Sequence, residues 1–388
     1  MAVSARVLLT CLPYYSHLVP VLVPVAKALR KAGHAVAVAS APAMADELAR
    51  HGVEHVPLPH VRTLEQLLAD PAVLASPGMP GAEDEEAADT ARAREEPGAL
   101  TKAFAGPLAG IFARDLIAAA ERWRPDVLVR ECNEFGGYLA AVKLGLPRAV
   151  LDIAPFTAAH LPFLHDTLNA ELAALGAAPA DDPLRPNDGL LAGVVPAAWY
   201  PERRPSLRCY RTDDPGAPDD GFAPLAVAGL GTVAHTVVPE ASRLLAAMAL
   251  ALGELPGPAV LSTGPGEWTG PRPSNVRIVP FAPQARLLGR ASLFLSHGGF
   301  GGVQEALRAA TPMVVLPLFA DQPANARRIA ELGLGLAVDP AEATPETLAA
   351  ACSRVLAPGF GERAAEFARP AGDLPGFDVL AEDLAALS

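Results

Sequence analysis

The stretch SHGGFGGVQEAL, Ser296 to Leu307, sets four glycines around one phenylalanine directly after His297. So much bare backbone suits a ligand that must lie close to the main chain, because glycine has no Cβ in the way. The apolar run ASLFL precedes it and a helical pattern follows it. The order is therefore strand, histidine, glycine loop, helix. Unpaired N–H groups and a partial positive charge gather at such a helix start, which makes it a ready seat for an anion such as phosphate. A plain tight turn is the competing reading, and the strand-then-helix context weighs against it.

The elements that would position this loop alternate along the chain. RVLLTCL (6–12) reads as a strand, VPVLVPVAKALRKAG (19–33) as a helix, HAVAVAS (34–40) as a strand and AMADELARHG (43–52) as a helix. DLIAAAERW, PDVLVRE, GGYLAAVKLG and PRAVLDI continue the pattern to residue 153. Short apolar strands between amphipathic helices predict α/β units, each with a parallel sheet covered on both faces. Pro20 and Pro24 predict a delayed or kinked start to the first helix. Between Val61 and Gly106 the pattern dissolves into an acidic, Gly/Pro-punctuated stretch, read as a long loop with a lid-like role or none. PFTAAHLPFLHDTLNAEL (155–172) is read as a contributor to an acceptor cavity. A second break, rich in proline and acid, spans about 203–223, after which alternation resumes from LAVAGLGT (225–232).

Composition bounds the function. At 388 residues the chain is long enough for two domains. Every apolar run is broken well short of the ~18 residues of a membrane helix, so no membrane span is expected. MAVSARVLLTCLPYY reads as a first strand rather than a signal peptide. Cys11, Cys132, Cys209 and Cys352 are scattered, without CxxC or zinc spacing, which suits a reduced cytoplasmic enzyme with no metal site. A net charge of −12 repels polyanions, and no basic stripe offsets it, so a nucleic-acid partner is not expected. ERRPSLRCYR (202–211) is the densest basic run and reads as solvated linker.

FAPQARLL (281–288), SHGGFGGVQEAL and PMVVLPLFADQPANARRIAELGLG (312–335) together resemble the donor signature of GT-B glycosyltransferases, specifically the UDP-glucuronosyltransferase-like group and its bacterial antibiotic-tailoring branch. The matching residues are Phe281, Pro283, Gln284, His297, Gly298, Gly299, Glu305, Asp321, Gln322 and Asn325, with the family's spacing kept throughout. LPYYSHLVPVLVPVAKALRKAGHAVAVAS is similar to the family's opening, and PDVLVRECNEFGGYLAAVKLGLP to its Pro-Asp strand ending in an acid. GLGT (229–232) is similar to its first C-terminal-domain turn. The resemblance implies two Rossmann-like domains facing each other across a cleft. Residues 1–204 would bind acceptor, 205–223 would link, 224–370 would bind donor, and a helix in 371–388 would pack back on the first domain.

The resemblance also implies roles. Phe281 would stack on the nucleobase with Pro283 and Gln284 nearby, and Glu305 would hold the ribose hydroxyls. Thr232, His297 and the backbone N–H groups of Gly298, Gly299, Gly301 and Gly302 would meet the diphosphate. Asp321 and Gln322 would bind sugar hydroxyls. Directed charge-assisted hydrogen bonds, roughly 1.5–3 kcal/mol each, would outweigh a helix dipole worth ~0.3–2. His17 falls at the family's catalytic-histidine position, fit to take a proton near neutral pH. Glu131 falls at the orienting acid, although Glu134, three residues on, competes for that place. His34 belongs to a structural turn.

Departures narrow the branch. Ser16 stands where relatives have glycine, Tyr14 and Tyr15 precede it, and Phe281 replaces a common Trp, keeping the stacking face but losing an N–H. Gly301 and Gly302 replace larger polar residues of plant enzymes. The implied activity is an inverting, metal-independent transfer of a sugar, in the first reading a deoxysugar from TDP, to a hydrophobic natural-product aglycone. No cofactor is implied beyond the TDP- or UDP-linked co-substrate, and a homodimer is admitted but not required. The alternatives are a UDP-glucose-dependent transferase acting on xenobiotics or lipids, and a non-catalytic nucleotide-sugar-binding helper. A nicotinamide oxidoreductase is disfavoured, because the GxG of STGPGEWTG (262–270) is followed by no helical pattern.

Overall fold

The structure, a computed structural model, describes residues 4–63, 66–67, 105–155, 161–201, 206–213, 216, 222–234 and 238–388. Most of the stretch read as a loop between Val61 and Gly106 lies outside them, as do 156–160 of the expected acceptor-lining segment. The chain divides into two compact units, Met1–Asp213 with Leu374–Ser388, and Asp214–Asp373.

The first unit holds, among the described residues, a seven-stranded sheet in the order β3-β2-β1-β4-β5-β6-β7. These strands are β1 Arg6–Thr10, β2 Ala35–Ser40, β3 Glu54–Pro57, β4 Val127–Glu131, β5 Arg148–Asp152, β6 Leu190–Gly193 and β7 Leu207–Cys209. Every pairing is parallel. Both faces are covered, so Val7, Leu8 and Leu9 are all fully buried and the strand reads as a continuous apolar run. The chain lays down β1, β2 and β3 outwards, then returns to place β4 on the other side of β1. That reversal is the topological switch point, where loops leaving neighbouring strand ends open a crevice.

The second unit repeats the scheme with six strands among the described residues, in the order β10-β9-β8-β11-β12-β13. They are β8 Ala226–Gly229, β9 Ala259–Ser262, β10 Val276–Val279, β11 Leu293–Ser296, β12 Met313–Val315 and β13 Gly335–Ala337, again all parallel. Its switch point lies between β8 and β11, with Gly229 and Ser296 in register at the strand ends. Each unit thus has the parallel α/β architecture expected.

Three local outcomes refine the sequence reading. Pro20 has no N–H to donate to Ser16, and a π turn over Leu18–Leu22 separates the short helix Tyr15–His17 from the regular helix Val23–Lys31, which has Pro24 in its first turn. The helix ending at Trp123 begins at Pro107, earlier than the Asp115 read from sequence. Leu207–Cys209, inside the segment read as linker, is instead edge strand β7, too short to carry a period. Next to it, Tyr210 is fully buried and its hydroxyl donates to Asp383 Oδ2.

Asp383 lies on the helix Phe377–Ala385, which belongs to the first unit and packs against Val23–Lys31. Phe377, Leu380, Ala381 and Leu384, spaced i, i+3, i+4 and i+7, form its buried face. Among the described residues no helix is long and apolar enough to cross a membrane.

Candidate active site

At the first switch point the chain leaving β1 runs through Cys11–Tyr14 to a short helix, Tyr15–His17. There His17 Nδ1 lies 3.0 Å from Glu131 Oε1, at the end of β4. Glu131 is fully buried, while the His17 side chain keeps 21% exposure. The carboxylate is fixed independently of the imidazole: Leu12 N donates to Oε1 at 3.4 Å and Asn133 N to Oε2 at 2.7 Å. A carboxylate only accepts, so the shared proton sits on Nδ1 and leaves Nε2 as the basic nitrogen. The Tyr14 ring packs tilted against the imidazole, with centroids 5.2 Å apart.

Glu134 does not share this contact. Its carboxylate accepts from Thr10 Oγ1 and, at 2.8 and 3.0 Å, from Gly137 N at the start of the helix Gly136–Leu144. Of the two acids the sequence left in competition, geometry pairs Glu131 with His17. His34 accepts from Ala5 N and serves its turn.

At the second switch point the glycines have separate tasks. Gly298 sits at φ +80°, and its N–H turns back to Ser296 Oγ at 3.2 Å. That corrects the expectation that this amide faces a ligand. Gly299 is the N-cap of the helix Phe300–Arg308. Two residues further on, the amides of Gly301 and Gly302 have no protein acceptor among the described residues. A Cβ on Gly301 would meet nothing within 4 Å, whereas one on Gly302 would stand 3.2 Å from the Phe294 ring and 3.3 Å from Gln284 Nε2.

His297 is seated between two glycines. A Cβ on Gly299 would come within 2.5 Å of its Nε2, and one on Gly231, at φ +72°, within 2.7 Å of Cε1. The residue keeps intermediate exposure, but its Nδ1 is sealed without a partner. Burial accordingly lowers the imidazole pKa from 6.5 to about 4. His297 therefore offers a neutral N–H donor rather than a cation. Thr232, next to Gly231, is exposed.

Phe281 leaves 62% of its surface open, directly ahead of exposed Pro283. The helix Gln284–Leu288 follows, and Gln284 Nε2 donates to Glu305 Oε2 at 2.8 Å, so two expected site residues meet across two helices. Burial raises the Glu305 pKa, opposed by this bond and by Arg308. Gln322 is 2% exposed and its Oε1 accepts from Leu318 N and Phe319 N at 2.8 and 3.1 Å. It braces the loop before Asp321, with only its Nε2 left for a ligand.

Asn325, matched by spacing but given no role from sequence, donates from Nδ2 to Gly298 O at 2.9 Å and to Asp321 Oδ2 at 2.8 Å. It ties the glycine turn to the acid, and its i+4 position after Asp321 was the available signal. Ala320, at φ +56°, is a strained non-glycine residue immediately before that acid. Among the described residues no group of three His, Cys, Asp or Glu could hold a metal ion.

Two buried groups predict opposite pH behaviour. Burial raises Glu134 from 4.5 to about 7. The folded first unit then holds a proton that the unfolded chain has released, and stability falls as pH climbs from about 4.5 to 7. The full span is about 3 kcal/mol. His297 runs the other way, losing stability in the second unit as pH falls from 6.5 towards 4. Calorimetry of the wild type against Glu134→Gln across pH 4–8 should show the wild type's relative stability declining with pH. A difference independent of pH contradicts the assignment.

A model of the erythromycin biosynthesis protein CIII-like N-terminal domain matches residues 27–197, and its C-terminal counterpart matches 251–387. The chain is 29% identical over 391 residues to the tylactone mycaminosyltransferase of Streptomyces fradiae, covering 90% of this chain and 85% of that protein. It is 31% identical over 374 residues to the L-demethylnoviosyl transferase of Streptomyces niveus, covering 91% and 90%. The crystal structure of the glycosyltransferase VinC in complex with DTDP aligns with TM-score 0.76 at 23% identity, over 98% of this chain and 99% of that one. The spinosyn rhamnosyltransferase SpnG complexed with thymidine diphosphate aligns with TM-score 0.75 at 23% identity, over 98% and 99%. These structural likenesses give the fold, GT-B.

Proposed function

The chain belongs to the erythromycin biosynthesis protein CIII-like family and is a glycosyltransferase, and from that premise we propose that it transfers a deoxysugar from a TDP-sugar to a hydrophobic natural-product aglycone with inversion at the anomeric carbon. Relatives named for mycaminosyl and demethylnoviosyl transfer support the sugar class.

His17 is the base. Its Nε2 takes the proton of the acceptor hydroxyl while that oxygen bonds to the anomeric carbon. The bond from that carbon to the diphosphate breaks and the nucleotide leaves with the electron pair. One displacement inverts the centre. Glu131 keeps the imidazole in the tautomer that can accept, and it stabilises the imidazolium that forms. Such general-base help is worth about 10²–10⁴-fold. The observation that carries this reading is the His17–Glu131 pair at a strand-end switch point.

In the second unit the departing charge is assigned to the Gly301 and Gly302 amides, the neutral His297 and Thr232, rather than to a metal. Phe281 and Pro283 form a platform for the base, the Gln284–Glu305 pair receives the ribose, and Asp321 with the Nε2 of Gln322 receives the sugar.

Titration calorimetry with TDP, UDP and GDP tests the donor, followed by mass-spectrometric assay of transfer with and without EDTA. TDP should bind most tightly, and EDTA should leave turnover unchanged. Preference for UDP would replace the deoxysugar by a UDP-glucose-type donor. Activity lost to EDTA and restored by Mg²⁺ would remove the metal-free assignment, and silence towards all three nucleotides would remove the donor reading.

A further inference from the structure

The turn that presents Glu131 is gripped from behind by two buried ionisable residues that the transfer step does not use. Arg130 is the neighbour of Glu131 in β4, so the two side chains leave opposite faces of the sheet. The Arg130 guanidinium is 2% exposed. Its Nη1 donates to three carbonyls of a single turn: Glu131 O at 3.1 Å, Cys132 O at 2.8 Å and Glu134 O at 3.3 Å. Its Nη2 donates to Pro186 O at 2.9 Å and Asn187 Oδ1 at 3.1 Å, and the group lies 5.4 Å over the Phe135 ring.

Glu134 closes the same turn from its other end. It joins Thr10, the last residue of β1, to Gly137 N. Thr10 pairs in register with Arg130, so this acid sutures the strand leading to His17 to the strand ending in Glu131. A Cβ on Gly137 would stand 2.6 Å from Glu134 Oε2 and 2.7 Å from Thr10 Oγ1, so the suture occupies the space a side chain would need.

Burying a charge is costly, and packing alone would be served as well by an apolar residue of similar volume. What an apolar residue cannot do is gather three carbonyls of one turn onto one point. We propose that Arg130 and Glu134 are positioning residues that hold the Glu131 carboxylate at hydrogen-bonding distance from His17. The proposal deepens the reading of His17 as base and rests on it for its effect on rate. The geometric claim stands apart from that reading.

The test uses the full-length enzyme and four variants, Arg130→Met, Arg130→Lys, Glu134→Gln and Thr10→Val, with Glu131→Gln as the reference for a lost pair. Two quantities are measured on folded protein: steady-state kcat and KM, and the ¹⁵N shift of His17 Nδ1, which reports its bond to Glu131. Displacement on the scale of an ångström costs roughly 10- to 100-fold in rate. Arg130→Met and Thr10→Val should therefore lower kcat by about that factor, leave the donor KM within about twofold, and move the Nδ1 signal towards its Glu131→Gln position. Arg130→Lys should recover part of both.

Should Arg130→Met fail to fold, Thr10→Val decides the matter, because Glu134→Gln still offers an acceptor to Gly137 N. Variants that are merely less stable, with kcat per folded molecule and the Nδ1 signal both as in the wild type, overturn the proposal. If His17→Ala keeps full turnover, the base reading falls, yet the Nδ1 signal still judges the clamp.

Discussion

Replacing His17 with Ala should cut turnover by about 10²–10⁴-fold and leave the dissociation constant for TDP within about twofold. The substitution removes the only nitrogen assigned to take the acceptor proton, and its carboxylate partner is poorly placed to replace it. Glu131 is fully buried, and both its oxygens are committed to the amides of Leu12 and Asn133. Those two bonds also keep the carboxylate satisfied after the imidazole is gone, so the variant should fold. The nucleotide contacts are assigned to residues of the other unit, which is why binding should survive. Single-turnover assay beside calorimetry separates the two quantities. Full activity in the variant would remove His17 from the mechanism, whereas loss of TDP binding in step with turnover would mean a general disturbance of the fold.

Parallel strands were legible because both their faces are covered, so RVLLT and ASLFL stand out as unbroken apolar runs between amphipathic helices. The glycine loop was legible because four glycines so close together cannot serve a packed element, and its motif spacing from Phe281 to Asn325 carried the donor residues. Legibility failed where length or direction mattered more than residue type. Strands β6 and β7 span four and three residues, too few to show a period. Glu131 and Glu134 were rivals in sequence, and only the end of β4 separates them. The first is its last strand residue and meets His17, while the second folds back to serve the next helix. No composition reveals that the Gly298 amide turns inward, because φ +80° is a decision of the chain. Gln322 matched its motif and yet spends its carbonyl oxygen on the loop behind it.

Gly301→Asp should push two properties of the free and bound enzyme in opposite directions. Gly301 lies in the first turn of the helix Phe300–Arg308, with nothing within 4 Å of where a Cβ would stand, so the new side chain fits without displacing any neighbour. An acid in a first helical turn interacts favourably with the dipole, worth ~0.3–1 kcal/mol, and it replaces a glycine, the second-worst helix former. The free protein should melt slightly higher. The same carboxylate stands where the donor's diphosphate is assigned. Two like charges about 4 Å apart in a partly wet site repel by about 4 kcal/mol, only part of which a swing of the side chain can relieve. TDP affinity should fall by about 10²–10³-fold, and most of that loss should be absent from the neutral Gly301→Asn. Scanning calorimetry and TDP titration on the two variants check both signs. A Gly301→Asp enzyme that binds TDP as the wild type does would place the pyrophosphate elsewhere, whatever the motif says. A loss shared equally by the Asn variant would trace the effect to bulk rather than to charge.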